Sequence, residues 1–533
     1  MIKKIELLDT TLRDGAQAEG ISFSIEDKLS IAKELCKLGV GLIEVGNPGW
    51  GPKDREVFAR ISSQGLSAGV VAFGSTMRKN TSPENDPGLA AILESGADAV
   101  AIFGKCSPRH VREVLSTTPG ENARMIEQSC SYIKKSLPVG TGLAPALKDN
   151  RKGCPYLIFD AEHFFDGYKE DPDFALQMLR AASVGGADVL CLCDTNGGSF
   201  PDEVGRITAL VCEKFPHNTI GIHCHNDGGL AVANTIAAVE AGAAHVQGTL
   251  LGFGERCGNA SLATIIPNLQ LKKGYEIIPD CRQINQTART VAEICNISIK
   301  RNEPYIGLSA FAHKGGMHVG AVIKNPASFE HVRPEDVGSD RRLLLSEVAG
   351  KSAVLNRLRE LIPGGATDEQ LDLILEKLKQ KEFSGYQYEG ASASFELMVR
   401  KTLGMFEPPF ELMHYRILTT APAEGESAAA MVKIRVGQKE VFRSAEGCGP
   451  VDALDKALRL ALSVFFPELR KVRLTDYKVR VTDSRAGAAA TVRVHITSSD
   501  GESDWTTVGV SRDIIEASFK ALCSAVEFLL VNK

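Results

Sequence analysis

Eight short β-rich runs recur in the first half of the chain, and stretches with apolar residues at helical spacing separate them. The runs read KIELLDTTL, GLIEVGNP, SAGVVAFG, DAVAIFG, LIFDAEHF, VLCLCDTNG, IGIHCHND and HVQGTLLGFG. Between the first two, SIEDKLSIAKELCKLG repeats Leu29, Ala32, Leu35 and Cys36 at helical spacing before Gly39. PDFALQMLRAASVGGA, PDEVGRITALVCEKF and GGLAVANTIAAVEAGAA behave the same way. Several of these stretches end in glycine just ahead of the next strand, where a helix C-terminus favours it. This alternation over about 260 residues predicts an α/β fold, a parallel (β/α)8 TIM barrel across residues 1–280. The segment 105–150 is longer than the other connections and admits more than one assignment.

Past the barrel the pattern changes twice. In residues 281–390, QINQTARTVAEICNISI and ATDEQLDLILEKLKQKE read as amphipathic helices, and LIPGG and EFSGYQYEG read as breaks. A helical linker that lids the barrel is expected there. Residues 391–533 contain an internal repeat. HYRILT, AAAMVKIRVG and PVDALDKALRLAL return as DYKVRVT, AAATVRVHIT and RDIIEASFKALCSAV. Tyr415 and Tyr477 stand 62 residues apart, and Ala457 and Ala521 stand 64 apart. VKIRV and VRVHI alternate with period two, so each copy is predicted as two or three strands with one buried face, then a helix, in an α+β domain.

Composition narrows the class. The 533 residues carry a net charge of −5 and are 44% hydrophobic. No basic stripe calls for nucleic acid. No apolar run approaches the ~20 residues that a membrane span requires, and the opening MIKKIELLDTTLRDG meets acidic and polar residues too early for a signal peptide. Thirteen scattered cysteines without a C-x-x-C pair read as free thiols in a reducing, cytoplasmic setting.

The candidate chemistry collects at strand ends. On a strand, residues i and i+2 face one side. His223 and His225 in IGIHCHND therefore point together at the end of the seventh strand, the catalytic face of this fold. Asp14 is expected at the end of the first strand and Asn259 in the loop after the eighth. Strand eight closes against strand one, so these four residues converge from distant sequence as an open divalent-metal site. Arg13, Glu44, Glu162, Asp194, Thr195, Glu255 and Arg256 fall on the same rim. Glu44, expected to end strand two, can form a buried pair with Arg13. The glycines at 252, 254 and 258 suit either a phosphate contact or a plain tight turn.

LLDTTLRDGAQAEG, IEVGNP, HCHNDGGLAVANTIAAVEAGA and GFGERCGNASL resemble the α-isopropylmalate synthase and homocitrate synthase superfamily. Ala16 in DGAQAEGISFSIEDK, together with FDAEHFFDGYKEDPDFAL and HKGGMHVGAVIKNP, resembles the long citramalate synthases within it. The resemblance spans nearly the whole chain. It implies a Claisen-type condensation of acetyl-CoA with pyruvate and water, giving (R)-citramalate and CoA, an entry to isoleucine. It implies Asp14, His223 and His225 as ligands of Mn²⁺, Mg²⁺ or Zn²⁺, with Asn259 in or near the shell. Arg13 is implied to stabilise the alkoxide, and Thr195, with Arg13 and Glu44, to hold the oxo acid. Glu162 and His318, in GGMHVG, are the candidate bases. His318 lies beyond the barrel and must fold back over its mouth. Relatives carry a tyrosine within the stretch that here reads NPASFEHV, whereas this chain has Phe329, so no proton-relay role is carried over. The C-terminal repeat is implied to be a regulatory domain that binds a branched-chain amino acid, isoleucine, in a homodimer.

Other readings remain at this point. One is 2-isopropylmalate synthesis from 2-oxoisovalerate. Another is a lyase of the same metal-barrel superfamily, running the carbon–carbon bond in reverse. A third is a non-catalytic amino-acid sensor that kept the barrel as scaffold. The regulatory repeat argues against the lyase, and the intact Arg13, Asp14, His223, His225 and Asn259 argue against the sensor.

Overall fold

A computed structural model describes residues 3–136, 156–344, 358, 361–362, 366–420, 427–482, 487 and 490–532. The chain divides into two compact units, residues 1–311 with 332–341, and residues 312–331 with 342–533.

The first unit is built on a closed parallel barrel of eight strands in sequence order. They are β1 (Glu6–Asp9), β2 (Leu42–Gly46), β3 (Gly69–Ser75), β4 (Ala99–Lys105), β5 (Tyr156–Glu162), β6 (Val189–Asp194), β7 (Thr219–Cys224) and β8 (His245–Gly248). β8 closes on β1 with Glu6 opposite His245 and Asp9 opposite Gly248. The lumen is filled by Leu8, Leu42, Val71, Ala101, Ile158, Val189 and their neighbours, including Cys191 and Cys193. These two cysteines are thus core side chains, and the described cysteines are all free thiols. Outward-facing residues of the strands pack against the helices in a separate, larger cluster.

Local signals explain where the helices start and stop. Ser24 and Asp27 cap the helix Ile25–Leu38 reciprocally, each side chain accepting the other's backbone N–H. Gly39 ends it at φ +92°, and a Cβ there would lie 2.3 Å from the Pro279 ring, so only glycine fits. The stretch after β4 resolves into helices Pro108–Glu113 and Pro119–Ser136, while the rest of the 105–150 connection lies outside the described residues. The helix Ile284–Ile294 buries Ile284, Ala288 and Val291 in the barrel's own outer core.

In the second unit, β9 (Ala312–His313) and β10 (Arg342–Leu343) form a short parallel pair, and helix Asp368–Phe383 opens on a capping box at Thr367. The LIPGG break falls partly outside the described residues. The repeat folds as two antiparallel sheets of three strands. The first is β11 (Glu411–Thr419), β12 (Ala428–Val436) and β13 (Lys439–Gly447), and the second is β14 (Arg473–Val481), β15 (Val492–Ser499) and β16 (Asp504–Ser511). Each is followed by a helix, Pro450–Leu462 and Ile514–Val531. The middle strands alternate as read from sequence, with Ala428, Ala430, Val432 and Ile434 buried in one and Val494 and Ile496 in the other. Both copies share one hydrophobic core. The likeness reaches an irregularity: the register slips between Leu412 and His414 in the first copy and between Leu474 and Asp476 in the second.

Candidate active site and metal centre

The first-strand run ends earlier than its sequence suggests. β1 stops at Asp9, and Thr10 to Asp14 form a tight turn in which the backbone N–H groups of Arg13, Asp14 and Gly15 all donate to the Thr10 carbonyl. That turn, rather than the strand, carries Arg13 and Asp14 to the rim. Glu44 likewise sits in the middle of β2, not at its end, fully buried. A carboxylate there is tolerable only with a partner, and the Arg13 Nε donates to it at 2.6 Å. The Arg13 guanidinium also lies 3.8 Å from the centre of the Phe73 ring and 3.4 Å from Asp14 Oδ2. Burial pushes Glu44 up, against the pull of Arg13. Burial would lower the Arg13 value, but Glu44 and Asp14 outweigh it and the guanidinium keeps its charge.

His223 lies in β7 and His225 just beyond it. Their Nε2 atoms face each other at 3.3 Å, and Asp14 Oδ2 stands 3.3 Å from the first and 3.9 Å from the second. Burial would raise the Asp14 carboxyl, but the Arg13 charge and the two imidazoles hold it well below the ordinary carboxylate range. Burial, then the charge of His223, pushes His225 down to about 4, so its imidazole is neutral at neutral pH. Burial would also lower His223, but the hydrogen bond and charge of Asp14 raise it.

Three lone-pair atoms that converge in this way suit a cation. Ligands held ~2.0–2.2 Å from one ion stand roughly 3.0–3.5 Å apart, which two of these separations match. Asn259 pairs with His225 through an isolated antiparallel bridge, and both polar atoms of its side-chain amide are buried without a partner among the described residues. An orphaned buried amide beside three convergent acceptors fits a fourth oxygen donor. The donors therefore form a possible divalent-metal site, of nitrogen and oxygen character. A second group, Asp160 with Cys191 and Cys193, also lies close enough to share an ion. Burial pushes the Cys191 thiol well above its ordinary value, however, and a protonated thiol is a poor ligand.

A cavity of about 240 Å³ opens over these donors, and Arg13, Asp14, Glu162, Thr195, His223 and His225 all line it. Glu162 ends β5 and pairs with Lys105 Nζ at 2.5 Å. The Thr195 hydroxyl accepts the backbone N–H of His163 at 2.8 Å, which leaves its own hydrogen to give. Arg256 donates to both oxygens of Asp227 and to the Thr195 carbonyl, tying together the loops after β6, β7 and β8. Gly252, Gly254 and Gly258 bend the loop after β8 tightly round Asn259, in line with the turn reading. His318 belongs to the second unit. It is exposed on a helix, Gly316–Lys324, not in the loop read from GGMHVG, and its ring stacks on Phe329 at 4.2 Å.

Two polar residues and one aromatic pair were overlooked in the sequence. Gln247 in β8 faces His223, with its Oε1 3.0 Å from Nδ1, and its amide nitrogen donates to Asp160 Oδ1 at 2.8 Å. Each was visible as a polar residue inside an apolar strand, two positions from a residue on the same face, His245 and Glu162. Phe73 and Phe103 stack at 5.5 Å between ring centres and form the apolar wall of the cavity.

Residues 4–291, just over half the chain, match the HMGL-like family. Residues 305–384 match the homocitrate synthase post-HMGL domain-like family, and 389–530 the LeuA allosteric (dimerisation) domain. Along its whole length the chain is 43% identical to the (R)-citramalate synthase of Aquifex aeolicus, 99% of which is covered. It is 46% identical to that of Synechocystis over 98% of this chain and 95% of the relative. The chain belongs to the citramalate synthase branch of the HMGL-like family. A probable 2-isopropylmalate synthase of Methanopyrus kandleri stands further off, 30% identical over 99% of both chains. The shared span with the citramalate synthases thus includes the barrel with all the rim residues above as well as the C-terminal repeat.

Proposed function

We propose that this chain, an acyltransferase, condenses acetyl-CoA with pyruvate and water to give (R)-citramalate and CoA, as its citramalate synthase relatives are named for doing. The observation that carries the choice of oxo acid is the 240 Å³ cavity, in which the stacked Phe73 and Phe103 face the metal donors and leave room for a small substituent. A methyl group packs on that wall with less crowding than the branched chain of 2-oxoisovalerate, in line with the full-length likeness to citramalate synthases.

Asp14, His223, His225 and Asn259 are the residues that would hold a divalent cation, and when bound it supplies Lewis-acid polarisation of the 2-oxo carbonyl. Mg²⁺, Mn²⁺ and Zn²⁺ all accept such mixed donors. Arg13, locked by Glu44 and Phe73, presents a fixed positive charge where the carbonyl oxygen becomes an alkoxide. Glu44 acts on the substrate only through Arg13. Thr195 gives its hydroxyl hydrogen to the oxo acid's carboxylate. Glu162 takes a proton from the acetyl methyl, with the paired Lys105 ammonium holding that carboxylate in place. His318 is the alternative base. The new carbon–carbon bond forms between the deprotonated acetyl methyl carbon and the carbonyl carbon of pyruvate, whose oxygen takes up a proton as the hydroxyl; water then cleaves the thioester and CoA leaves as its thiol. The match to an allosteric (dimerisation) domain supports a homodimer with an effector site in the C-terminal repeat, and we propose isoleucine as that effector. The reading places the enzyme in the cytoplasm.

A thiol-release assay with acetyl-CoA and a panel of 2-oxo acids tests this. Pyruvate is expected to give the highest kcat/KM by at least about tenfold. Faster turnover of 2-oxoisovalerate would move the activity to 2-isopropylmalate synthesis, and no turnover with any oxo acid would favour a sensor.

A further inference from the structure

The second unit contains a cleft of about 830 Å³, more than three times the volume of the barrel-mouth cavity. Four lysines from three helices line it: Lys377 and Lys381 from Asp368–Phe383, Lys401 from Ser392–Thr402, and Lys520 from Ile514–Val531. Lys401 is paired with Glu527 at 2.6 Å and Lys520 with Glu516 at 2.8 Å. Among the described residues, Lys377 and Lys381 have no acidic partner within ion-pair reach. Lys377 and Lys381 stand one turn apart on one helix, and burial with the neighbouring ammonium groups of Lys377, Lys401 and Lys520 holds Lys381 below the ordinary lysine value. Two ammonium groups without an acidic partner on one edge of the cleft, Lys377 exposed and Lys381 half-buried over the Tyr386 ring at 4.6 Å, suit an anion there.

The rest of the lining is aromatic. Tyr388, Phe410 and Phe519 are buried there, and Tyr415 meets Phe519 edge-on at 4.7 Å. Ser394 accepts the Val508 backbone N–H at 2.9 Å, leaving its hydroxyl hydrogen to donate. A cleft of this size with an apolar, aromatic wall and a few convergent polar groups is the usual form of a small-molecule site. An amino acid is a poor occupant. Its ammonium group meets no free acid, because Glu516 and Glu527 are engaged by Lys520 and Lys401, and it fills a small part of the volume.

We propose that this cleft binds a phosphate-bearing organic anion with an aromatic body, of nucleotide size, with the phosphates on Lys377 and Lys381 and the ring against the tyrosines. Such a ligand is either a free nucleotide or the nucleotide end of a CoA molecule beyond the one consumed in the barrel.

Calorimetric titration of the full-length protein with ADP, and separately with CoA, tests the proposal. ADP is expected to bind once per chain and to weaken as salt rises. CoA binding twice per chain identifies the carrier as a source, and CoA binding once, with ADP bound alongside it, identifies free nucleotide. The double variant Lys377→Glu/Lys381→Glu should weaken ADP binding at least tenfold while thiol release without ADP is unchanged. Hydrogen exchange on the unaltered protein gives a readout that does not depend on how the variant folds. ADP should protect residues 374–381, 394–402 and 516–527. No saturable binding up to millimolar ADP, equal affinity in the double variant, or protection confined to the barrel would overturn the proposal. So would protection of these helices by isoleucine but not by ADP.

Discussion

Gln247 decides which nitrogen of His223 is available. Its amide nitrogen donates to Asp160 and approaches His245 Nε2 at 3.4 Å, which turns its oxygen toward His223. An oxygen at that position takes the hydrogen of Nδ1 and leaves the Nε2 lone pair facing His225 and Asp14. Replacing Gln247 with Leu keeps the bulk and removes this constraint. Metal affinity, measured by competition with a chelating dye, should fall roughly 10–100-fold, the usual cost of losing such an outer partner. Unchanged affinity would free His223 of any dependence on Gln247. Under the proposed role of Thr195, His163 would act on substrate at one remove. Its backbone sits at φ +56°, a left-handed conformation costly for most side chains, with its ring against His110 and Asp166. That conformation aims its N–H at the Thr195 hydroxyl. His163→Ala should raise the KM for pyruvate about tenfold with kcat nearly constant, since one hydrogen bond to a charged group is worth about that much. His163→Asn should restore most of the loss because Asn tolerates the left-handed region. If the two variants behave alike, the backbone strain is not what positions Thr195.

At the scale of elements, β3 and β4 supply the aromatic wall that is proposed to select the oxo acid. Phe73 is pinned by Arg13 on one face, whereas Phe103 is half-buried against the Phe73 ring and the lumen cluster, with the Lys105 ammonium 5.5 Å from its own ring. Phe103→Ala should therefore open the cavity without disturbing Arg13. Turnover of 2-oxobutanoate and 2-oxoisovalerate relative to pyruvate should rise about 10–100-fold, the discrimination that one or two methylene groups provide. An unchanged ratio would mean that the wall lies elsewhere. The strands themselves were legible because a buried parallel strand is a near-continuous apolar run, and a polar residue inside one stands out. His223, His225 and Glu162 were found by that contrast. Gln247 and Asp160 showed the same contrast, but their partners lie on other strands and no spacing in the chain links them. Arg13 and Asp14 were found despite a misplaced strand end. The turn after Asp9 keeps the run LLDTTL reading as β, since its threonines favour strands and the Thr10 carbonyl that gathers three N–H groups leaves no mark in the pattern. The helix around His318 was missed because its glycines depress helix propensity, while Val319 and Val322, buried on one face, hold it in place. The repeat was readable down to its period, but not the shared slip of register, which depends on backbone pairing alone.

For the whole molecule, the proposed metal donors straddle the contact that closes the barrel. β1 and β8 pair residues about 240 positions apart, by far the most distant strand pairing in the cylinder. Asp14 follows β1, His223 and His225 come with β7, and Asn259 follows β8, so a bound cation ties the chain across that seam. Ligand binding stabilises only the state that holds all the donors together, by about 2.7 kcal/mol when the free metal is 100 times its Kd. That is a factor of 100 in the population of open states. The second unit has its own cores and shares none of these donors. Chelation should therefore act locally. Native-state hydrogen exchange with and without EDTA should show amides of β1, β7 and β8 exchanging up to about 100-fold faster in the stripped protein, with smaller changes in β3 and β4. The strands β12 and β15 should exchange at the same rate in both. Equal acceleration in both units would mean that they open as one, and no acceleration at β1 and β8 would mean that the seam is held by its hydrogen bonds and lumen packing without help from the ion.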